Sequence, residues 1–387
     1  MTAITSHLDK NKVNKSVALG LSGGVDSAVS AYLLKQQGYD VTAIYIQCWS
    51  MPGCRAEQDR QDALKIALQL GIPFQVLDFK QQYQQGVMDY FVTEYRAGRT
   101  PNPDVLCNQV IKFGLFYQWA QKNKFDYLAT GHYAQTGSIK LANINTPVLL
   151  SSQDLHKDQT YFLHQLTQAQ LPHILFPIGH LLKKEVRQLA QENKLHVANK
   201  KDSVGICFVG EINVHNFLKE QLGEKNGDII TADGQKIGTH NGIWFYTIGQ
   251  RHGFDLDMKL VKQHTHWLDQ QGNIPPLYVI KRNPKQNQLI IGLEPETMAD
   301  QFELSQLHLI NPNFDLNHHQ LKVRIRHTGK LVACQLLQDQ QSKIVVTTQE
   351  PLQGLAEGQF AVFYFANPNN KQKTQAEYVC IGGGVIA

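Results

Sequence analysis

Long apolar runs are missing from this chain. No stretch of the 387 residues approaches the roughly 20 that cross a bilayer. The N-terminus, with Asp9, Lys10, Lys12 and Lys15, has no apolar signal core, so a cytoplasmic protein is expected. Charge is scarce too: 18% of residues are Asp, Glu, Lys or Arg, against a usual level of about 25%. The net charge of +4 excludes a global basic field, so any nucleic-acid site must be a local patch. The six cysteines (48, 54, 107, 207, 334 and 380) form no Cys-x-x-Cys and are too sparse for a disulfide scaffold. The sixteen histidines form no His-Glu-x-x-His, and no Gly-x-x-x-x-Gly-Lys-Ser/Thr loop, repeat or low-complexity tract occurs. Membrane proteins, disulfide-rich secreted domains, Walker-type nucleotidases and zinc hydrolases of the His-Glu-x-x-His type are thereby disfavoured.

What is present centres on Ser22-Gly23-Gly24-Val25-Asp26-Ser27. It follows the apolar run Val17-Ala18-Leu19, short enough for a buried parallel strand, and precedes an apolar helix closed at Gly38. A glycine-rich turn between strand and helix aims backbone N–H groups at a phosphate. Asp26 would repel that phosphate unless it holds Mg²⁺ or a donor group. Further apolar runs at 41–46, 74–79 and 127–130 alternate with helical patterns at 56–70 and 82–96. This alternation predicts a doubly wound parallel sheet with ligands at the strand C-terminal ends.

Two prolines in Arg99-Thr100-Pro101-Asn102-Pro103-Asp104 stiffen a loop and hold Asn102 extended. Cys107 falls near the start of the next helix, a place that favours thiolate. Taken alone, it reads more readily as a small buried apolar residue. Lys200 and Lys201 precede Cys207 and would lower its thiol pKa if they reach it. Beyond residue 211 the texture becomes β, with a turn at Asp233-Gly234 and a linker-like Pro275-Pro276. We expect a catalytic domain over 1–210, a central β-rich domain over 211–280 and a C-terminal β-barrel over 281–387. Lys322, Arg324 and Arg326 alternate with Leu321, Val323 and Ile325, placing three cations on one strand face. That is either a solvated face or an RNA-phosphate grip.

The Ser22–Ser27 turn resembles the SGGxDS loop of the PP-loop ATP pyrophosphatases. Together with Gly98 to Cys107-Asn108, Ala129-Thr130-Gly131-His132-Tyr133, Lys157-Asp158-Gln159, Asp202-Ser203 with Gly205-Ile206-Cys207-Phe208, Tyr246 to Arg251 and Gly382-Gly383-Gly384, it resembles one member family in order along nearly the whole chain. That family is the bacterial tRNA-specific 2-thiouridylases. The resemblance implies ATP binding by Gly20, Leu21, Ser22, Gly23, Gly24, Val25, Asp26 and Ser27, with Ile46 near the adenine and Gly131 also touching the nucleotide. It implies Asn102, Pro103 and Asp104 at the target uridine, Cys107 as nucleophile and Cys207 as persulfide carrier. A transient Cys107–Cys207 disulfide would follow. It further implies tRNA contacts by Lys157, Asp158, Gln159, Arg326 and His327. ATP with Mg²⁺, wobble uridine 34 of Lys, Glu and Gln tRNAs and a sulfur-donor protein complete the expectation, with no residue assigned to a metal. Nothing calls for more than a monomer.

The chain departs from the family pattern at Ser50-Met51-Pro52-Gly53, where an acidic insert is common, at Ile46 for Met, and at His327 for Tyr. The segment around Cys207 is the expected lid over a flipped-out base. A PP-loop amidation or ligation enzyme, and an RNA-binding module that keeps ATP as a structural ligand, remain as alternatives.

Overall fold

The computed structural model describes residues 14–49, 55–141, 144–202, 213–264, 267–317, 320–338, 343–370 and 376–387. Five parallel strands build the first sheet. They are β1 (Ser16–Gly20), β2 (Asp40–Gln47), β3 (Phe74–Asp78), β4 (Tyr127–Thr130) and, after a hairpin of β5 (Gln135–Leu141) and β6 (Ile144–Leu150), β7 (Ile174–Leu175). Their spatial order is β3-β2-β1-β4-β7. Val17, Ala18 and Leu19 of β1 are buried on both sides, which is why that strand reads as a continuous apolar run. The helix Ala56–Leu70 ends on Gly71, whose φ of 60° lies in the left-handed region that favours glycine.

The central sheet comprises β8 (Gly227–Ile230), β9 (Lys236–His240), β10 (Asp255–Leu256), β11 (Tyr278–Asn283) and β12 (Gln288–Gly292), ordered β10-β9-β8-β12-β11. β11 runs across the expected division at 280/281. It pairs with β12, which pairs with β8, so hydrogen bonding places the strand with the central unit.

The remaining strands are β13 (Met298–Leu309), β14 (Leu321–Arg324), β15 (Val332–Gln338), β16 (Ile344–Gln353), β17 (Phe360–Ala366) and β18 (Tyr378–Ile386). They form a six-stranded barrel closed by β13–β18 pairing. The glycines at 382–384 make that closure possible. A Cβ on Gly382 would lie 2.1 Å from the His308 carbonyl oxygen, and one on Gly384 would lie 2.3 Å from that of Gln306. β18 also pairs with β6 of the N-terminal unit, Val379 opposite Leu150, which hangs the β5–β6 hairpin on the barrel edge. One buried cluster accordingly spans all three units, from Ala18 and Cys107 through Trp244 to Val362 and Cys380. Among the described residues no helix is long and apolar enough to cross a membrane.

His164 lies at this junction, its Nδ1–H donating to the Tyr161 carbonyl at 2.7 Å. Burial pulls its pKa down to about 4, with that hydrogen bond acting in opposition. Since the folded-state value lies below the unfolded one, the folded state disfavours protonation. Stability is complete above pH ~6.5 and falls as pH drops toward 4. Between pH 7.5 and 5 the His164 contribution should amount to about 2 kcal/mol. Denaturant midpoints for the wild type and His164→Gln, compared at both pH values, check this; parallel losses in the two proteins would refute it.

Candidate ATP and tRNA site

The Gly20–Ser27 turn leaves the C-terminal end of β1, where the strand order turns from β2 to β4, the usual ligand position in open parallel sheets. Gly23 has φ 75°, and an added Cβ would meet the Asp59 carbonyl oxygen at 2.2 Å. The Ser27 hydroxyl donates to the Gly24 carbonyl at 3.1 Å and accepts from the Ser22 N–H at 3.2 Å, fixing the loop. No side chain caps the Val25–Gln36 helix, which leaves its first-turn N–H groups available to an anion. Gly131, at the end of β4, lies so close that a Cβ would sit 2.8 Å from the Ser27 nitrogen. Ile46 is buried in β2.

A donor group does hold Asp26. Lys183 Nζ donates to its two carboxylate oxygens at 2.8 and 2.9 Å, and the Tyr133 hydroxyl donates at 3.0 Å. Lys183 opens the helix Lys183–Glu192, and its side chain is only 14% exposed. The same ammonium reaches Asp202 at 2.8 Å. Asp202 is also bonded by Arg187 and by Lys157, the latter at 3.2 Å. Burial pushes the Asp202 carboxyl up, but the lysine bonds outweigh it and hold the pKa at about 2. The ammonium of Lys200 is committed to the Gly23 carbonyl at 2.9 Å and to Asp59 and Asp62 at 2.7 and 2.6 Å. It braces the loop, a role different from the thiol activation expected of it. Cys207, the Cys107–Cys207 pair and the proposed lid lie outside the described residues.

Asn102 is extended, with φ −118° and ψ 96°, and its side chain caps the helix that starts at Pro103 by accepting from the Val105 N–H at 3.3 Å. Asp104 is half-buried in the first turn. Cys107 follows one turn later, at the head of a π-helical stretch, Cys107–Phe116, a wide-turn geometry frequent at functional sites. Its side chain is 0% exposed. Phe116 of this stretch packs against Gly20, so the nucleotide loop and the cysteine helix share a wall. Both other units hold the loop before Asn102. The Thr100 N–H donates to the Glu357 carbonyl at 2.7 Å, while Arg282 donates to the Thr100 hydroxyl and the Tyr246 carbonyl, both at 2.9 Å.

Residues 15–211 match the family described as "tRNA methyl transferase HUP domain", residues 215–293 its "PRC-barrel domain", and residues 299–386 the "Aminomethyltransferase beta-barrel domain". The tRNA-specific 2-thiouridylase MnmA of Staphylococcus epidermidis is 39% identical over 379 residues, covering 96% of this chain and 94% of that protein. The chain belongs to the tRNA-specific 2-thiouridylase family. The relative of the same name from Ligilactobacillus salivarius is also 39% identical, over 97% of this chain and 96% of its own. That from Francisella tularensis subsp. holarctica is 38% identical, over 96% and 99%. Among solved structures, the U34-tRNA thiolase NcsA from Methanococcus maripaludis covers 54% of this chain and 65% of its own, at 23% identity and a TM-score of 0.35, too low to bear on function. The HUP-domain match, with the loop geometry, supports ATP use.

The residues expected from the thiouridylase resemblance to meet tRNA divide sharply. Lys157 is 45% exposed and Arg326 is exposed. Asp158 is 2% exposed and accepts from the Ser152 N–H, the Thr160 hydroxyl and Arg324. Gln159 is tied to Tyr133, whose N–H its side chain accepts at 2.9 Å. These two residues shape the segment from inside. The three-cation face is corrected likewise: β14 ends at Arg324, which is buried against Asp158 and Tyr364, while Lys322 lies over the Tyr378 ring. His327 packs against Phe162 with ring centres 4.4 Å apart and the rings tilted by 37°. Burial and the Arg324 and Lys157 charges lower its pKa, with Asp104 acting in opposition. Lys183, Tyr133, Asp202 and Arg282 were absent from the expected site; for Lys183 the only available signal was its position at a helix start.

Breaking the buried pair is a stability test. Arg324→Met should cost about 3 kcal/mol by stranding the Asp158 carboxylate, and Asp158→Asn in the same chain should restore part of it. Thermal unfolding of the single and double variants checks this. Strictly additive losses would show that the two residues do not act as a pair.

Proposed function

We propose that the protein uses ATP to adenylate the C2 oxygen of wobble uridine 34 in tRNA, then replaces that oxygen with sulfur, giving 2-thiouridine, AMP and pyrophosphate. The supporting observation is the shared wall between the Gly20–Ser27 loop and the helix carrying Asp104 and Cys107, with Phe116 against Gly20. The name of the relatives, tRNA-specific 2-thiouridylase, points the same way. The family descriptions speak of methyl transfer, but a pyrophosphatase-type loop beside a thiol suits adenylation and sulfur transfer better.

The loop amides and Lys183 would receive the triphosphate, and Asn102, Pro103 and Asp104 the extruded base. Asp26, released by Lys183, fits Mg²⁺, which commonly needs only one or two carboxylates beside phosphates and water. Bound there, Mg²⁺ would neutralise phosphate charge. The O2 oxygen attacks the α-phosphate and pyrophosphate leaves. The terminal sulfur of a Cys207 persulfide then attacks C2 and AMP departs. Cys107 thiolate attacks the Cys207 Sγ, breaking the S–S bond and leaving the thiocarbonyl. If Cys107 attacks first, the released sulfide attacks C2 instead. Both routes end in a Cys107–Cys207 disulfide, which a thiol reductant must reduce.

Lys, Glu and Gln tRNAs, a sulfur-relay or desulfurase donor and a cytoplasmic monomer complete the reading. The test is nucleoside mass spectrometry on tRNA incubated with the protein, Mg²⁺–ATP and a persulfide (sulfane-sulfur) donor. 2-Thiouridine is expected. Unmodified tRNA together with pyrophosphate release on another substrate would favour a PP-loop ligase.

A further inference from the structure

We propose that Asp202 is a positioning residue that couples nucleotide binding to tRNA binding, by sharing one carboxylate between Lys183 and Lys157. The inference rests on the reading above, in which Lys183 serves the ATP phosphates, and on the expected contact of Lys157 with tRNA. The chain of contacts is continuous. Asp26 holds Lys183 at 2.8 and 2.9 Å, Lys183 meets Asp202 Oδ1 at 2.8 Å, and Asp202 Oδ2 meets Lys157 at 3.2 Å. Arg187 bonds the Oδ1 side as well. The two lysines face different surroundings: Lys183 is 14% exposed beside the nucleotide loop, and Lys157 is 45% exposed. Their bonds keep the carboxylate ionised across the physiological range.

The sign of the coupling follows from charge. When a phosphate draws Lys183 away, Asp202 retains Lys157 and Arg187 alone and holds Lys157 more firmly. A tRNA phosphate must then break a stronger ion pair to capture Lys157. The reverse holds when tRNA binds first, because coupling between sites is reciprocal. Asp202 therefore makes the two ligands antagonistic while the triphosphate is intact. After pyrophosphate leaves, Lys183 returns to Asp202 and Lys157 is eased toward the tRNA. The grip on tRNA thus strengthens for the sulfur-transfer stage.

The experiment measures the Kd of an unmodified lysine tRNA transcript by fluorescence anisotropy, with and without saturating Mg²⁺ and α,β-methylene-ATP. Wild-type protein and Asp202→Asn are compared. Direct contacts between nucleotide and tRNA are common to both proteins and cancel. The ratio of Kd with the analogue to Kd without it should be about two- to fivefold smaller in the variant, the size of a partly exposed ion pair. The analogue's own Kd should show the same change with and without tRNA. Lys157→Gln should collapse the ratio as Asp202→Asn does. An equal or larger ratio in Asp202→Asn would overturn the inference, whatever happens to the separate affinities. If Lys157→Gln leaves tRNA affinity intact, or Lys183→Met leaves analogue affinity intact, the ligand assignments beneath it fail instead.

Discussion

Cys107→Ala is expected to abolish 2-thiouridine formation while leaving pyrophosphate release on tRNA measurable. In the proposed mechanism adenylation uses the loop and its cations, whereas resolution of the persulfide uses a thiolate at residue 107. The substitution removes one sulfur atom from a fully buried position, a small deletion costing about 1 kcal/mol. The variant should therefore fold, and loss of product can be assigned to chemistry. Cys334 and Cys380 supply the contrast. Cys334 and Cys380 sit within the barrel strands β15 and β18, and burial pushes both thiols up. Their alanine variants should make product normally. Nucleoside mass spectrometry on the three variants decides the matter, and product from Cys107→Ala within tenfold of wild type would remove Cys107 from the mechanism.

Lys183→Met should lower the rate of pyrophosphate release by about 10²–10³-fold, the usual loss when a preorganised charge partner of a reacting group is deleted. Methionine keeps much of the side-chain volume, and Asp26 retains the Tyr133 hydroxyl and partial contact with water, so the fold should survive. Lys183→Arg should recover only part of the rate, because a planar guanidinium does not reproduce a compact ammonium placed between two carboxylates. Single-turnover pyrophosphate release measures both. A Lys183→Met rate within threefold of wild type would mean that this ammonium serves only to neutralise Asp26.

The strand–turn–helix around Ser22–Ser27 was readable because its determinants are local. An apolar strand, two glycines and a helix start lie within a dozen residues, and the two prolines around Asn102 set its backbone without outside help. The misreadings concern residues whose surroundings come from far along the chain. Alternation over Leu321–Arg324 separates two strand faces, but does not show that the strand stops there or that Arg324 meets Asp158, 166 residues earlier. Asp158, expected at the tRNA, is buried for the same reason. Lys183 faces the nucleotide loop only because its helix packs beside Asp26, 157 residues away. The division at 280 failed because hairpin pairing, and not the Pro275-Pro276 signal, decides where β11 belongs.

The β6–β18 pairing also bears on how the protein comes into being. Val379 meets Leu150 across roughly 230 residues of intervening chain, and non-local strand pairing of this kind is slow to form. During synthesis the β5–β6 hairpin emerges long before β18 exists to cover its edge. For that interval it presents unpaired backbone groups of the sort that recruit neighbouring nascent chains. Pro147 within β6 blunts that edge until the final strand arrives.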